Sequence, residues 1–153
     1  MGKEIERKFL VTGEAWRTGE KKRYRQGYLS LDEKRTVRVR TTPEKGYVTI
    51  KGPGKGATRN EFEYEIPKTD AIELLESLCV KPLIEKDRYR VSHRGLMWEV
   101  DEFFGANQGL VIAEIELESE DQALDKPDWV GEEVTGDERY YNVNLVAKPY
   151  ASW

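Results

Sequence analysis

The sequence predicts a mainly β (α+β) protein in which an antiparallel sheet closes into a barrel of roughly eight strands with a few flanking helices. Its 153 residues suit one domain with a core of its own, so we assign residues 1–153 to a single domain. Side chains alternate with period two in short segments, and Gly, Pro, Asp and Asn separate these segments. This pattern is typical of antiparallel hairpins.

Five strands are predicted in the first half of the chain. The first, residues 3–11, places Glu4, Glu6 and Lys8 on one face. The others cover residues 23–30, 35–41, 47–51 and 58–66. Residues 52–56 read GPGKG and are predicted to form a loop, because proline cannot continue a strand ladder. This loop is not a P-loop, since no Ser or Thr follows its lysine at the start of a helix.

One amphipathic helix is predicted in the middle of the chain. It begins at Thr69 or Asp70 and ends before Pro82, with apolar residues at helical spacing between them. Extended segments are predicted at residues 83–92, 96–103, 110–118 and 129–134. Residues 121–124 are predicted to form a short helical piece, and residues 137–146 a last helix that ends before Pro149.

The composition excludes several classes of protein. The chain has 25 basic and 29 acidic residues, so neither a uniformly basic nucleic-acid surface nor an acidic disordered chain is indicated. The single cysteine, Cys79, excludes an intrachain disulfide, and the single histidine, His93, excludes His-rich zinc sites. Without a signal-like or membrane-spanning apolar run, we expect a cytoplasmic protein with no membrane partner. The oligomeric state stays open, with a homodimer as one option.

Fully charged side chains of one parity recur on nearly every predicted strand. On any one strand, such alternation is typical of the solvent face of a half-buried sheet. A solvent face requires only polarity, however, and Ser, Thr, Asn or Gln would supply it. The charges are also sorted by strand into basic and acidic groups: Glu4, Glu6, Lys8, Arg38, Arg40, Lys51, Glu61, Glu63, Lys86, Arg88, Arg90, Glu99, Asp101, Glu114 and Glu116.

A closed barrel of about eight strands could hold a ligand between these charges. Lysines and arginines from several strands neutralise a polyanion, and each arginine can bind phosphate oxygens bidentately. The carboxylate pairs Glu4/Glu6 and Glu114/Glu116 offer the oxygen ligands that Mg²⁺ or Mn²⁺ prefers together with phosphates. We therefore predict a metal-bound polyphosphate as the ligand, with the apolar outer face covered by helices and loops.

The ordered series of these residues resembles the CYTH domain, or triphosphate tunnel metalloenzyme, superfamily. Its N-terminal signature E-x-E-x-K is present at residues 4–8. The later elements follow in order over essentially the whole chain: Gln26, Gly27, Tyr28, Leu29, Arg38, Arg40, Lys51, Glu61, Glu63, Lys86, Arg88, Asp101, Glu114 and Glu116. The resemblance implies an eight-stranded antiparallel tunnel, a divalent metal ion, and a small-molecule substrate with a linear triphosphate.

The resemblance also implies a role for individual residues. The phosphate-binding residues would be Lys8, Arg38, Arg40, Lys51, Lys86 and Arg88. The metal-binding residues would be Glu4, Glu6, Glu61, Glu63, Asp101, Glu114 and Glu116, with Glu61 alternatively in an internal salt bridge. The candidate catalytic residues are Tyr28, Lys86 and Glu63, and Tyr28 has an equally good alternative as an aromatic packing residue.

The predicted activity is hydrolysis of inorganic triphosphate to pyrophosphate and phosphate by a metal-activated water, because nothing in the chain resembles a site for a base or ribose. Thiamine triphosphatase or nucleoside triphosphatase activity is the nearest alternative, since Trp16, Tyr47 or Trp98 could stack on a base. Class IV-type adenylate cyclase and a non-catalytic polyphosphate or nucleotide sensor are further alternatives. An open sheet with a solvated charged face and an adaptor role is the alternative for the fold.

Overall fold

The computed structural model describes residues 2–54 and 56–153, so the predicted loop at residues 52–56 is described except for Lys55. The strands of this part are β1 Glu4–Val11, β2 Glu20–Ser30, β3 Thr36–Thr41, β4 Gly46–Lys51, β5 Thr58–Arg59, β6 Glu61–Ile66, β7 Val80–His93, β8 Leu96–Phe103, β9 Val111–Glu116 and β10 Val130–Glu133. The α-helices are α1 Lys68–Ser77 and α2 Asn142–Ala147. Short 3₁₀ turns cover Ala15–Thr18, Gly105–Asn107, Glu138–Tyr140 and Tyr150–Ser152.

The strands form one curled antiparallel sheet in the order β10-β1-β9-β8-β7-β2-β3-β4-β6, and β5 pairs with β1. The mainly β, antiparallel prediction is therefore confirmed. The number of strands differs from the predicted eight, partly because residues 58–66 change partner at Asn60: β5 pairs with β1, whereas β6 pairs with β4. The backbone nitrogen of Glu61 also lies 3.1 Å from the carbonyl oxygen of Gly2. Residues 58–66 thus pair with strands near both ends of the strand order, β1 near one end and β4 near the other.

Two helical predictions are wrong. Asp121 ends a turn and residues 122–124 have no regular secondary structure, so there is no helix at residues 121–124. Residues 137–146 are not one helix, because Tyr141 is extended (φ −69°, ψ 130°) and separates the turn at Glu138–Tyr140 from α2. Asp137 stabilises the separate turn by accepting a hydrogen bond from the backbone nitrogen of Arg139. In the described residues, no helix has the length and apolar character needed to cross a membrane.

The convex face of the sheet carries most of the aromatic core. Phe9, Trp98 and Trp129 pack edge to face, with ring centroids 5.6 and 5.8 Å apart, and Trp16 covers Tyr89 in the same way at 5.0 Å. The strand residues Phe9, Tyr89 and Trp98 face outward because they have the opposite parity to the charged residues of their strands. Loops cover this part of the convex face, as predicted.

Helix α1 covers a second part of the convex face, where Ala71 and Leu75 pack with Val39 of β3. The predicted cover does not extend to the outer faces of β4 and β6. There Ile50 is 41% exposed and Phe62 is 45% exposed. The ten-residue α1 is too short to reach these positions after it has covered β3 and the start of β4.

Helix α2 closes one end of the concave face. At this end the inward-facing residues are apolar, although they share the parity of the charged residues further along each strand. Tyr28, Ile84 and Phe103 pack there with Val143 and other residues of α2 in one buried cluster. Burial of this cluster holds α2 against the sheet and leaves the remaining concave face to the charged side chains.

Candidate active site

The concave face encloses a cavity of about 570 Å³. Twelve charged predicted site residues line it: Lys8, Arg38, Arg40, Lys51, Lys86, Arg88, Glu4, Glu6, Glu61, Glu63, Glu114 and Glu116. Tyr28 lines it as well, and Asp101 is absent from its lining. The structure therefore brings together in one cavity charged side chains from six strands, some of which lie more than a hundred residues apart in the sequence.

Strands β3 and β7 form a basic wall that lacks enough negative charge. Arg40 is buried, and its Nε donates to the neutral Gln26 Oε1 at 3.0 Å. Among the described residues, no carboxylate lies within 4.0 Å of it. Burial and the nearby guanidinium groups of Arg38 and Arg88 lower the pKa of Arg40 to about 10. Arg38 Nε is buried without any hydrogen-bond partner in the same set of residues. The missing carboxylate at Arg40 and the missing acceptor at Arg38 Nε indicate that this wall binds an anion.

Asp101 lies behind the basic wall and holds two of its cations. Its Oδ1 is 2.7 Å from Arg88 Nε, and its Oδ2 is 2.9 Å from Arg88 Nη2 and 2.8 Å from Lys86 Nζ. Burial would raise the pKa of Asp101, but Arg88 and Lys86 lower it overall. Asp101 does not line the cavity and both of its oxygens contact cations, so its predicted metal-binding role stays a prediction that would require these ion pairs to open. In the structure Asp101 orients Lys86 and Arg88.

Lys86 has an unusual environment for a lysine. It is 1% exposed, and its Nζ contacts both Asp101 Oδ2 and Asn142 Oδ1 at 2.8 Å. Burial lowers the pKa of Lys86 to about 7, together with the positive charges of Arg88 and Arg40 and against the attraction of Asp101. A lysine in this range can either hold a proton or release it near neutral pH.

Strands β1 and β9 form an acidic wall with more carboxylates than cations. Glu6 lies directly opposite Glu116 in the pairing of the two strands. Burial and the charges of Glu114 and Glu4 raise the pKa of Glu6 to about 8, and the pKa of Glu116 is also raised, mainly by burial. Burial is the largest cause of both shifts, and the charges of neighbouring carboxylates add to it.

The other carboxylates at this side of the cavity, on β1, β9 and the neighbouring β6, are in ion pairs, mostly with lysines. Glu114 Oε2 lies 2.9 Å from Lys8 Nζ, and Lys51 Nζ lies 3.2 Å from Glu4 Oε1 and 3.3 Å from Glu61 Oε2. In residues 2–54 and 56–153, no three acidic side chains converge as a formed metal site. The oxygen-only donor set and the raised pKa values of Glu6 and Glu116 nevertheless fit a hard divalent cation at this wall.

Replacing Glu6 with Gln is expected to stabilise the metal-free protein at high pH. The folded protein holds a proton on Glu6 up to a pKa of about 8, against an ordinary value of 4.5. It therefore binds more protons than the unfolded chain between these pH values, and stability falls as the pH rises through this window. We expect Glu6→Gln to raise the melting temperature by about 5 °C at about pH 8.5, and by much less at about pH 5. The measurement is a thermal melt in the presence of a chelator. An equal change in melting temperature at both pH values would contradict the raised pKa of Glu6.

The two other candidate catalytic residues occupy different positions. Glu63 lies at the edge of the cavity with its side chain 41% exposed, and it accepts a hydrogen bond from Thr49 Oγ1 at 2.9 Å. Its carboxylate is also 3.5 Å from Arg38 Nη2. Tyr28 is 4% exposed and packs in the apolar cluster at the α2 end while it lines the cavity. Both expectations for Tyr28, packing and access to the cavity, are compatible with this position.

Several residues of the cavity have no role in the sequence prediction. The centroid of the Tyr24 ring lies 4.8 Å from Arg40 Cζ and 5.1 Å from Arg88 Cζ, so this one ring makes cation–π contacts with both guanidinium groups. Arg59 also lines the cavity, and its Cζ lies 5.1 Å from the ring of Tyr141. Tyr24 shares the parity of Gln26 and Tyr28 on β2, and this parity was the available signal. Arg59 likewise shares the parity of Glu61 and Glu63 in the predicted strand over residues 58–66, whereas Tyr141 gave no signal because it falls within a predicted helix.

The three aromatic residues considered for base stacking lie on different sides of the sheet. Trp16 and Trp98 are buried in the convex core, on the far side of the sheet from the cavity. Neither is available to a ligand in the cavity. Tyr47 does line the cavity, next to Thr42, Glu44 and Lys45. The cavity lining is thus mainly charged, with Tyr47 as the remaining candidate of the three.

Comparison with known proteins gives consistent matches over nearly the whole chain. The inorganic triphosphatase of Acetivibrio thermocellus is 56% identical over 154 residues, which cover 100% of this chain and 99% of that protein. The inorganic triphosphatase of Nitrosomonas europaea is 39% identical over 148 residues, which cover 93% of this chain and 95% of that protein.

Solved structures share the fold. A crystal structure of the inorganic triphosphatase NE1496 superposes with a TM-score of 0.64 at 35% identity and covers 93% of this chain and 96% of its own. The PH1012 protein from Pyrococcus horikoshii, at 23% identity and a TM-score of 0.60, covers 76% of this chain and 79% of its own, and shows the fold alone. The sequence profile of the CYTH domain matches residues 2–150. With its charged cavity and these matches, the chain belongs to the CYTH domain family.

Proposed function

We propose that this protein hydrolyses inorganic triphosphate to pyrophosphate and phosphate with the help of a divalent metal ion. The observation that carries the proposal is the contrast between the two walls of the cavity. One wall holds buried arginine donors without a carboxylate acceptor among the described residues, at Arg40 and at Arg38 Nε, and the other holds Glu6 and Glu116, whose pKa values are raised. A polyanion with bound cations satisfies both walls at once. The names of the two curated relatives, both inorganic triphosphatases, support the same substrate.

We propose that the sheet forms a closed tunnel in the protein without ligand. The pairing of β5 with β1, the contact between Gly2 and Glu61, and the ion pair between Lys51 and Glu4 support closure. Closure around the ligand excludes bulk water and strengthens each charge interaction inside the cavity. The blind end under α2 further suits a short linear ligand that enters from the opposite side.

The metal ion is proposed to be Mg²⁺ or Mn²⁺. Glu4, Glu6, Glu61, Glu114 and Glu116 would hold it, and Glu63 could contribute from the edge of the cavity. When bound, the ion lowers the pKa of a water molecule and neutralises charge on the phosphates. Glu6 is predicted to lose its proton when a cation occupies the acidic wall, because the cation offsets the charges of Glu114 and Glu4 that now raise its pKa.

The basic residues position the substrate and stabilise charge. Arg38 and Arg40 offer hydrogen-bond donors that no carboxylate of the described chain occupies, so they would bind phosphate oxygens first. Lys8, Lys51 and Arg88 would complete the phosphate contacts. Lys86, with a pKa of about 7, could exchange a proton near the α2 end, where Tyr28 also lines the cavity.

Phosphate release from a set of triphosphates tests the proposed function. The purified chain would be assayed with inorganic triphosphate, ATP and thiamine triphosphate, each with Mg²⁺ or Mn²⁺. We expect inorganic triphosphate to have the highest kcat/KM, because the cavity lining offers mainly charged groups. Equal or greater activity on ATP would favour nucleoside triphosphatase activity instead, with Tyr47 stacking on the base. Formation of cyclic AMP without phosphate release, or binding without any turnover, would contradict hydrolysis of inorganic triphosphate.

A further inference from the structure

Asn142, the first residue of α2, reaches the cavity at the end that α2 closes. It is 9% exposed and belongs to the cavity lining. Its Oδ1 lies 2.8 Å from Lys86 Nζ and 2.9 Å from Gln26 Nε2. One oxygen of the α2 residue therefore accepts hydrogen bonds from both β7 and β2.

The orientation of the Asn142 amide is fixed by its neighbours. Arg40 Nε lies 3.0 Å from Gln26 Oε1, and a guanidinium group can only donate. Gln26 must therefore present its oxygen to Arg40 and its NH₂ group to Asn142. Asn142 in turn must present its oxygen to Gln26, because two NH₂ groups cannot bond to each other. This leaves Asn142 Nδ2 on the side away from Gln26 and Lys86.

The Nδ2 group of Asn142 is a free donor in the cavity. Among the described residues it has no protein acceptor, while Oδ1 has two donors. The fully buried polar side-chain atoms without a partner in this set are Arg38 Nε and Trp98 Nε1, so Asn142 Nδ2 is reachable by solvent. A free donor next to the cations Lys86 and Arg40 is suited to an anionic oxygen.

We propose that Asn142 is a substrate-binding residue whose Nδ2 donates to the phosphate oxygen at the α2 end of the cavity. This inference rests on the proposed function and adds a neutral donor to its cationic site. Gln26 is a positioning residue, since it acts through Asn142 and Arg40 and fixes which amide atom of Asn142 faces the ligand. Helix α2 thereby contributes a binding group in addition to closing the cavity.

The wild-type protein allows a direct test that needs no turnover. In ¹H–¹⁵N spectra, the side-chain NH₂ signals of Asn142 are those lost in Asn142→Asp, or in Asn142→Ser if the first variant does not fold. We expect these signals to shift when inorganic triphosphate is added without metal. The NH₂ signals of Asn144 should stay in place, because its Nδ2 donates to the backbone oxygen of Glu138 at 2.8 Å, outside the cavity.

A binding measurement with a matched charge control completes the test. Asn142→Asp keeps the oxygen that Lys86 and Gln26 require but loses the donor, so its Kd for triphosphate should rise roughly 10- to 100-fold. Asn144→Asp introduces the same charge on the same helix and should bind like the wild type. The inference about Asn142 would be overturned if its signals do not move at saturation, or if Asn142→Asp binds triphosphate as tightly as the wild type. If the wild type still hydrolyses triphosphate, either result leaves the proposed function intact. A wild type that neither binds nor hydrolyses it would overturn the proposed function as well.

Discussion

Replacing either Glu4 or Glu116 with Gln is expected to abolish turnover. We expect kcat to fall by about a thousand-fold or more in each variant. Gln keeps the shape of the side chain but removes the negative charge that a divalent ion needs. Both residues line the cavity, and Glu116 pairs directly with Glu6 across β1 and β9. The measurement is phosphate release from inorganic triphosphate across a range of Mg²⁺ and Mn²⁺ concentrations.

The control for this prediction is Glu118→Gln. Glu118 lies two residues beyond Glu116, is exposed, and does not line the cavity. Its replacement removes the same charge from the same part of the chain and should leave kcat close to the wild-type value. If Glu4→Gln and Glu116→Gln both keep wild-type rates, these carboxylates do not hold the metal.

Arg40→Ala is expected to weaken the binding of inorganic triphosphate about 100-fold, a larger loss than either carboxylate variant shows. Arg40 is buried in the basic wall, and its guanidinium group has no carboxylate partner among the described residues that could compensate it. A phosphate would be that partner, and the alanine variant could not replace it. Calorimetric titration with metal-free triphosphate gives the Kd of each variant.

Arg25→Ala provides the matched control for Arg40→Ala. Arg25 lies on β2 and contacts Glu85 at 3.1 Å on the other face of the sheet. Its removal also takes away one positive charge, so a general electrostatic effect would appear in both variants. An equal loss of affinity in Arg25→Ala and Arg40→Ala would show that the cavity is not the binding site.

The strand faces of the site could be predicted from the sequence because period-two alternation determines which side chains share a face. Glu4, Glu6 and Lys8 follow this rule on β1, and Arg38 and Arg40 follow it on β3. The alternation does not show how deeply each inward-facing side chain is buried. Asp101 has the inward parity, yet it lies behind Arg88 and Lys86 because two longer side chains cover it.

The contribution of α2 could not be predicted, because it depends on how the end of the chain returns to the sheet. A continuous helix over residues 137–146 would not have the extended Tyr141 from which α2 starts. The observed break places Asn142 beside Gln26 and Lys86, residues that precede it by 116 and 56 positions. No local pattern encodes contacts of this range, and Gln26 therefore appeared only as part of a family motif.

A crystal structure of this protein with inorganic triphosphate bound tests most directly whether the charged cavity is the binding site. We expect the triphosphate inside the cavity, with phosphate oxygens on Arg38 and Arg40 and its other side toward Glu4 and Glu116. A triphosphate bound only on the outer surface, with the cavity arginines still without an anion, would contradict this expectation.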